Sequence, residues 1–403
     1  MKVLIIGGTG VLSSAVVAEA LKIGLDVTMI NRGNRIERIP KQAHLIKSDR
    51  NNLKYIKQKL ANSHFDAVVD FLCTSESDTL KSLQFYSHYA YHYVYISSAA
   101  VINTSIGGIY NEESSKVQSL WDYSLDKWKS EQIVIKEACK CGVDYTIIRP
   151  CVTYDNTRIP YGISPTYGYH WTLVSRVLNN KPIITWNNGT NRCNMMRVED
   201  FAVAFVGLLG NKGAINEAIN ICGEECPSFI DVIKSIEKEI GHKAITIDID
   251  KEFYAKHAPR KRGEILGGRS IDAIHSVDKL KRILPDYRQT IFLDEGIQKT
   301  INSYRKNNYQ KGIDWVFDAE CDRVIARWLK YNKIDKKGYN IDYVDYLGDA
   351  TVDEKRTYFL ERNKDVFPVN IYLFLKYIVW RLSHVPGKIY RIYNQKYGTR
   401  SRQ

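Results

Sequence analysis

The first ten residues constrain this chain more than any other feature, because an apolar segment runs directly into a glycine turn. Residues 3–6 are all apolar, Gly7, Gly8 and Gly10 follow, and residues 14–23 have the apolar spacing of a helix. Glycines let a backbone turn tightly and approach a ligand closely, and the N-terminus of the next helix attracts anions. This order predicts a βαβ unit with a dinucleotide pyrophosphate over the turn. The predicted contacts are Gly7, Thr9, Gly10, Val11 and Leu12.

The segment after the second predicted strand, residues 27–30, bears on the choice of dinucleotide. A site that selects NAD usually places an acidic residue there, but this chain continues with Asn31, Arg32 and, after two more residues, Arg35. The two guanidinium groups suit a 2′-phosphate. The sequence therefore favours NADP and leaves NAD, or a solvated basic loop, as alternatives. Asp49, after the third predicted strand, is predicted to face the adenine amino group.

Strand and helix patterns alternate through the first 150 residues. Further apolar strands are predicted at 43–46, 65–72, 91–97 and 143–149, with helices at 51–60, after Ser77 and at 121–141. Near-continuous apolar strands separated by helices indicate an α/β fold, a Rossmann-type doubly wound parallel sheet covered on both faces.

The amino-acid composition changes twice after the predicted strands of the sheet. These changes predict that the chain has three parts. Residues 1–160 are predicted to be the dinucleotide-binding domain and residues 161–330 a smaller substrate lobe. Residues 151–190, rich in Tyr, Pro, Asn and Gly, are expected to be mostly loop, and helices are predicted at 198–209 and 229–240. Residues 331–403 are expected to form a mainly helical, basic and aromatic extension.

Tyr123 and Lys127 are four residues apart on a predicted helix and therefore share one face. An ammonium group near a phenol favours the phenolate, so this Tyr can exchange a proton with a substrate hydroxyl. Ser98 closes the predicted strand 91–97, at the carboxyl edge where ligands bind to parallel sheets. The same Tyr-to-Lys spacing recurs at Tyr55 and Tyr372, but only Tyr123 lies on a helix that leads into a central strand.

Together these motifs resemble the extended short-chain dehydrogenase/reductases, and most closely the NAD-dependent epimerase/dehydratase family that acts on nucleotide sugars. The resemblance covers residues 1 to about 325. The segments that carry it are Gly7–Gly10, Ser97-Ser98-Ala99-Ala100-Val101, Tyr123 and Lys127 with Glu131, Arg149-Pro150, and Asn188-Gly189-Thr190 with Arg197 to Ala202.

The resemblance implies a role for each matching residue. Tyr123 would be the acid/base, Lys127 would hold the nicotinamide ribose, and Ser98 would bind the reacting hydroxyl or carbonyl. Pro150 would border the nicotinamide, as would Leu72 and Cys73. The family's chemistry is hydride removal from a sugar carbon through a keto-sugar intermediate, and the implied assembly is a homodimer.

Several positions depart from the family pattern. Ser13 replaces the third glycine of the turn, and Ala99 and Ala100 stand where the 4,6-dehydratases carry an Asp-Glu pair, which favours an epimerase or a ketosugar reductase. Arg192 is offset by one position from the family's diphosphate-binding arginine. The candidate substrate contacts, besides Ser98, are Tyr154, Arg158, Arg192 and Arg269.

The function expected from the sequence is an NAD(P)-dependent epimerase or reductase of a nucleotide-activated sugar, in surface polysaccharide biosynthesis. A dinucleotide-sensing binding protein without catalysis, with a basic interaction tail, is the alternative.

The eight cysteines lack the spacing of a zinc site, so no metal is expected. The sequence carries no secretory or membrane-spanning pattern, so a cytoplasmic location, with peripheral attachment at the inner membrane surface as an option, is expected.

The net charge of +13 is concentrated at the end of the chain, where residues 376–403 hold seven Lys/Arg and no acidic residue. Residues 369–382 form an apolar helical pattern just before and into this segment. Packing within the chain, attachment to an anionic membrane surface and binding of a protein partner through residues 365–403 all suit this pattern. Nucleic acid is not expected, because no RNA-binding signature accompanies the charge.

Overall fold

The computed structural model describes residues 1–105, 108–116, 120–341 and 345–379. The chain divides into two compact units, Met1–Ile313 and Asp314–Gln403. The boundary predicted at residue 330/331 falls at the end of a helix of the second unit, Trp315–Tyr331, and the division of the first unit at 160/161 stays a prediction.

The first unit contains the strands and most of the helices. The strands are β1 (Lys2–Ile6), β2 (Asp26–Asn31), β3 (His44–Lys47), β4 (Ala67–Asp70), β5 (His92–Ile96), β6 (Ile109–Tyr110), β7 (Asp144–Pro150), β8 (Val152–Tyr154), β9 (Ile183–Thr185), β10 (Met195–Arg197), β11 (Glu217–Ile221), β12 (Thr246–Asp248) and β13 (Ile274–His275). The helices are α1 (Val11–Lys22), α2 (Leu53–Leu60), α3 (Glu76–Tyr86), α4 (Asp122–Glu137), α5 (Trp171–Leu178), α6 (Val198–Leu208), α7 (Phe229–Ile240), α8 (Lys251–His257), α9 (Arg262–Glu264), α10 (Asp278–Ile283) and α11 (Leu293–Lys306).

A seven-stranded parallel sheet in the order β11-β7-β5-β4-β1-β2-β3 is the core of this unit. Strand order reverses beside β1, which creates a crevice at the carboxyl edge between β1 and β4. The predicted doubly wound, Rossmann-type sheet is confirmed.

Helices cover both faces of the sheet, which explains why its strands are apolar without alternation. Val3 and Ile5 of β1 point into the cluster that contains α1 and α6. Leu4 and Ile6 point to the opposite face, which packs against residues of α2, α3 and α4. All four side chains are fully buried, so β1 is enclosed by the core on both faces of the sheet.

Residues 151–190 are mostly loop, as the sequence predicted, but they also contain β8, α5 and β9, which the sequence did not predict. Each of these elements is short, and the two strands pair with partners distant in sequence, β8 with β10 and β9 with β12. Strands of three residues carry too little periodicity to be recognised locally, and their stability comes from these distant pairings.

The second unit is helical over its described residues. It contains α12 (Trp315–Tyr331), α13 (Val352–Arg362) and a helix over residues 369–379. Arg323 is buried in α12 and forms ion pairs with Glu361 and Asp365. Residues 380–403 lie outside the described part, and with them the end of the helix predicted at 369–382 and the rest of the basic tail. Among the helices described in either unit, none has both the length and the apolarity needed to cross a membrane.

Candidate active site

A cleft of about 1110 Å³ opens at the carboxyl edge of the parallel sheet. Its walls come from the loops after β1, β2, β3, β4, β5 and β7, together with the segment around α9 and the residues that follow it. This is the edge at which α/β sheets of this topology bind ligands, as the sequence predicted.

The glycine turn forms one end of the cleft. Gly7 has a φ of +84°, and a Cβ there would lie 2.5 Å from Cγ of Leu72, so both its conformation and the space above it exclude a side chain. Thr9, Gly10, Val11 and Leu12 line the cleft where α1 begins. The first N–H groups of a helix have no acceptor within the helix, so this wall suits a phosphate.

Ser13 does more than replace a glycine by a small residue. Its hydroxyl donates a hydrogen bond to the carbonyl of Gly7 at 2.7 Å and accepts one from the amide of Gly10 at 2.8 Å. Ser13 is buried, so these bonds are shielded from water and fix the two ends of the turn relative to each other.

Asn31, the last residue of β2, forms two hydrogen bonds with the glycine turn. Its side-chain oxygen accepts from the amide of Gly8 at 3.1 Å, and its amide nitrogen donates to the hydroxyl of Thr9 at 3.1 Å. Asn31 lines the cleft, but both ends of its side chain are engaged by the turn. Arg32, Arg35 and Asp49 also line this part of the cleft, and Arg35 reaches the carbonyl of Thr9 at 3.4 Å.

The predicted contacts around the nicotinamide position divide into two kinds. Leu72 and Pro150 line the cleft, but Cys73 does not. The Cys73 thiol is buried and donates to the Asp70 carboxylate at 3.0 Å, and burial, followed by the charge of Asp70, raises the pKa of this thiol to about 12. Cys73 therefore contributes its backbone carbonyl, which accepts a hydrogen bond from Lys127, while its side chain does not line the cleft.

Lys127 is held by two backbone carbonyls at the floor of the cleft. Its ammonium group donates to the oxygens of Cys73 and Ile96, each at 2.8 Å. Both acceptors lie at or just beyond the carboxyl ends of sheet strands, so α4, β4 and β5 together fix this side chain. Burial lowers the pKa of Lys127 to about 8, although the nearby acidic groups of Cys73, Asp70 and Glu131 act in the opposite direction.

Tyr123 and Ser98 both line the cleft. Burial of the phenol raises the pKa of Tyr123, while the adjacent Ser98 hydroxyl and the charges of Arg269 and Arg158 lower it. The Tyr123 side chain as a whole is 40% exposed, because its ring forms part of the open wall. The cations that act on this phenol are thus two arginines from the substrate side, whereas the sequence pointed to Lys127 as the group that favours the phenolate.

Arg158 and Arg269 form a positively charged part of the cleft wall. Both line the cleft, and burial, followed by the like charge of Arg269, lowers the pKa of Arg158. Glu264 lies 3.5 Å from Nε of Arg269 and balances only part of this charge. Two guanidinium groups that repel each other in one recess favour a bound anion between them.

Two predicted substrate contacts lie outside the cleft. Arg192 is exposed and donates to the backbone carbonyl of Cys226 at 3.0 Å. Tyr154 is fully buried in the core beneath the guanidinium of Arg197, at 5.4 Å from its ring centre. Neither side chain is among the residues that form the cleft wall.

A buried ion pair supports the residues above it. Arg149 of β7 donates to both carboxylate oxygens of Glu131 on α4, at 2.9 and 2.7 Å, and Ser97 donates to the same carboxylate at 2.5 Å. Glu131 lies one helical turn beyond Lys127, and Ser97 precedes Ser98. The pair therefore fixes the elements that carry Lys127 and Ser98 relative to the sheet.

The sequence did not point to two residues that the fold brings into the cleft. His275 is buried in the wall, and within the described residues its Nδ1 has no hydrogen-bond partner. Burial, followed by the charge of Arg149, lowers the pKa of His275 to about 4, so its imidazole is neutral near pH 7. Arg50 lines the cleft and pairs with Asp78 at 3.0 Å. The only sequence signal that placed Arg50 in the cleft was its position directly after Asp49. No sequence signal pointed to His275.

The cleft and sheet define a dinucleotide-binding α/β protein with a Ser, Tyr and Lys set beside the binding edge. Residues 3–222, more than half of the chain, match the sequence profile of the NAD dependent epimerase/dehydratase family. The chain belongs to this family.

Individual proteins are similar to most of this chain. The chloroplast stem-loop binding protein of 41 kDa b from Arabidopsis thaliana is 25% identical over 344 residues, which cover 81% of this chain and 85% of that protein. UDP-glucuronic acid 4-epimerase from Bacillus cereus, solved with UDP-glucuronic acid and NAD, has a TM-score of 0.60 at 19% identity and covers 76% of this chain and 100% of that one. The epimerase Mth375 from Methanothermobacter thermautotrophicus has a TM-score of 0.63 at 17% identity, covering 76% and 93%. These two structures share the fold.

Proposed function

We propose that this protein interconverts or reduces nucleotide-activated sugars through a keto-sugar intermediate, with a nicotinamide dinucleotide in the cleft. One observation carries the proposal: Ser98, Tyr123 and Lys127 line the same cleft as the glycine turn. The family membership and the nucleotide sugars bound by its solved relatives support the same reaction class.

The cleft fits a dinucleotide along its length. The glycine turn and the start of α1 would hold the pyrophosphate, with Arg32 and Arg35 beside the adenosine end and Leu72 and Pro150 beside the nicotinamide. A dinucleotide bound in this way supplies a hydride acceptor and donor next to Tyr123. Lys127, held by two carbonyls, retains a further N–H for a ribose hydroxyl.

Tyr123 and Ser98 handle the proton of the reacting hydroxyl. In the proposed reaction Tyr123 takes this proton in its phenolate form as the sugar carbon is oxidised, and the resulting phenol returns the proton when the carbonyl is reduced. Ser98, whose hydroxyl lies beside the phenol, orients the same oxygen. Arg158 and Arg269 bind the diphosphate of the substrate, which satisfies their uncompensated charge.

Replacement of Tyr123 by Phe tests the proposal. The purified protein is incubated with UDP-glucose and UDP-glucuronic acid in the presence of NAD or NADP, and the sugar products are identified by NMR. Loss of the phenolic proton is expected to lower turnover by about 10²-fold or more, while the affinity for the dinucleotide, measured by fluorescence titration, is unchanged.

Tyr91→Phe is the matched control, because Tyr91 is exposed and outside the cleft. It should retain the activity of the parent protein. Wild-type turnover in Tyr123→Phe would show that Tyr123 is not the acid/base and would remove the proposed role.

We further propose that the cofactor is NADP. The family name and the NAD-bound relatives support a nicotinamide dinucleotide, and the preference for a 2′-phosphate rests on Arg32 and Arg35 at the end of β2. Arg32→Ala should weaken NADPH binding by about tenfold, the effect of losing one charge-assisted bond, and leave NADH binding unchanged. Lys41→Ala, an exposed cation of the same loop, is the control. Equal losses for both cofactors would refute the assignment.

Epimerisation and net reduction differ in the fate of the cofactor. An epimerase regenerates its cofactor in each cycle and retains it, whereas a reductase consumes and releases it. The mass and absorbance of any dinucleotide that remains bound through purification therefore separate the two reactions and identify the 2′-phosphate.

A role in surface polysaccharide assembly and a homodimer formed through α3 and α4 are two further proposals based on the family. Sedimentation velocity tests the homodimer.

RNA binding is a second candidate function, favoured by the name of the Arabidopsis relative and by the positive charge of this chain. It corresponds to a binding protein that uses the dinucleotide fold without catalysis. A labelled stem-loop RNA titrated at several salt concentrations tests it. Tight binding that weakens steeply with salt, combined with no turnover of any nucleotide sugar, would favour this function over the enzymatic one.

A further inference from the structure

The helix over residues 369–379 exposes a continuous apolar face. Ile371, Phe374, Leu375 and Ile378 follow the spacing i, i+3, i+4, i+7 that places side chains on one side of a helix. They are 47%, 61%, 55% and 36% exposed, respectively. Scattered apolar residues are common on protein surfaces, but an aligned stripe of large ones marks a binding face.

The opposite side of this helix has a different environment. Val369 and Leu373, which lie roughly half a helical turn away from the stripe, are half-buried. The fold therefore covers one side of the helix and leaves the side with Phe374 and Leu375 open.

The sequence from this helix onward carries charge of one sign. From residue 366 to the end, the sequence contains no Asp or Glu and seven Lys/Arg, which are Lys376, Arg381, Lys388, Arg391, Lys396, Arg400 and Arg402. Acidic residues are present directly before this segment, among them Asp353 and Glu361 on α13. The apolar face and a segment without negative charge thus coincide in the sequence.

We propose that residues 366–403 attach the protein to an anionic lipid surface, with the face of Ile371, Phe374, Leu375 and Ile378 inserted at the boundary of headgroups and acyl chains. An exposed apolar helix stripe together with a basic segment is the combination that binds such surfaces. Each Lys or Arg near the surface adds attraction to acidic headgroups, and the apolar side chains add the hydrophobic contribution.

The geometry favours a membrane over a second copy of this chain. The eleven described residues of the helix span only about 16 Å, and a stable protein interface needs about 800 Å² on each partner. Two copies meeting at this face would also bring two strongly basic segments together. A lipid surface has no such minimum area, and its charge is complementary.

Flotation of the full-length protein with vesicles tests the proposal. We expect the protein to float with vesicles of phosphatidylcholine and phosphatidylglycerol at low salt, and much less with phosphatidylcholine alone. The variant Phe374→Ser with Leu375→Ser should lower the partition coefficient by about tenfold or more, because two large side chains lose their burial. Lys388→Gln with Arg391→Gln should lower it by about fivefold for each charge removed.

Val352→Ser is the control for the apolar variant, since Val352 is exposed in the same unit but lies outside the stripe. Circular dichroism confirms that each variant keeps its helical content. Absence of flotation with anionic vesicles, or equal flotation of the Phe374/Leu375 variant, would overturn the proposal. Self-association, or binding of stem-loop RNA, that disappears in this variant without any dependence on lipid would also overturn it.

Discussion

Burial gives Lys127 a titration that an exposed lysine does not show near neutral pH. Its pKa is lowered to about 8, so the ammonium loses its charge as the pH rises through this value. If Lys127 holds a ribose hydroxyl, dinucleotide affinity should fall as the pH rises past about 8. Fluorescence titration of NADPH over a pH series measures this. Lys136→Met, on the exposed side of the same helix, should leave the profile unchanged, and a flat profile in the parent protein would contradict the assignment.

The same pKa shift has a consequence for folding. The ordinary pKa of lysine is 10.5, so between about 8 and 10.5 the unfolded chain carries this proton while the folded chain does not. Since the unfolded state binds more protons there, the contribution of Lys127 to stability increases with pH across this interval.

The residues that were correctly expected in the cleft are those whose location depends on backbone position, whereas the location of the others depends on side-chain packing. Gly7, Ser98 and Tyr123 lie where a strand end or a helix start must place them. The outward or inward direction of Cys73 and Tyr154 depends on what packs around them, and this information is spread over distant segments. The hydrogen bonds of Asn31 to the glycine turn could not be predicted for the same reason, because its partners are 22 and 23 residues away in the sequence.

At the scale of elements, the Glu131–Arg149 pair joins α4 to the centre of the sheet. Glu131→Gln preserves the shape of the side chain but leaves the buried guanidinium without its counter-charge. The expected loss in the free energy of unfolding is about 3 kcal/mol or more, as for other buried pairs that lose one partner. Urea titration followed by circular dichroism measures it.

The matched control is Glu137→Gln, on the same helix. Glu137 pairs with the more exposed Lys140 at 2.9 Å, and such surface pairs contribute less than about 1 kcal/mol. Similar losses in the two variants would mean that the buried pair is not a principal link between α4 and β7.

At the same scale, length did not decide which elements were predicted: α2, with eight residues, was predicted, whereas α11 and α12, with 14 and 17 residues, were not. Six of the seven strands of the main sheet were predicted from their apolar runs, because most of these strands are buried on both faces, whereas β11 was not predicted. The sixteen-residue α4 was predicted from the long helical pattern at residues 121–141. The strands β8 and β9 have three residues each and pair with β10 and β12, so their stability depends on partners that no local pattern reveals.

At the scale of the whole molecule, the cleft belongs to one compact unit. Every residue that lines it lies between Gly7 and His275, within Met1–Ile313. A protein ending at Ile313 should therefore fold and bind the dinucleotide with an affinity within about a factor of three of the full chain, as independent domains do. Thermal unfolding and NADPH titration measure the two properties. A truncated chain that aggregates or fails to bind would show that the second unit supports the cleft.

Arg158 and Arg269 also have a consequence beyond their charge. Both lower the pKa of Tyr123, so an anion that neutralises them makes this phenol hold its proton more firmly. By thermodynamic reciprocity, such an anion binds more tightly to the molecule that retains this proton. Ligand capture and proton affinity are therefore linked quantities in this cleft. Departure of the anion lowers the pKa of Tyr123 again, so the phenol is a stronger acid in the empty cleft than in the occupied one.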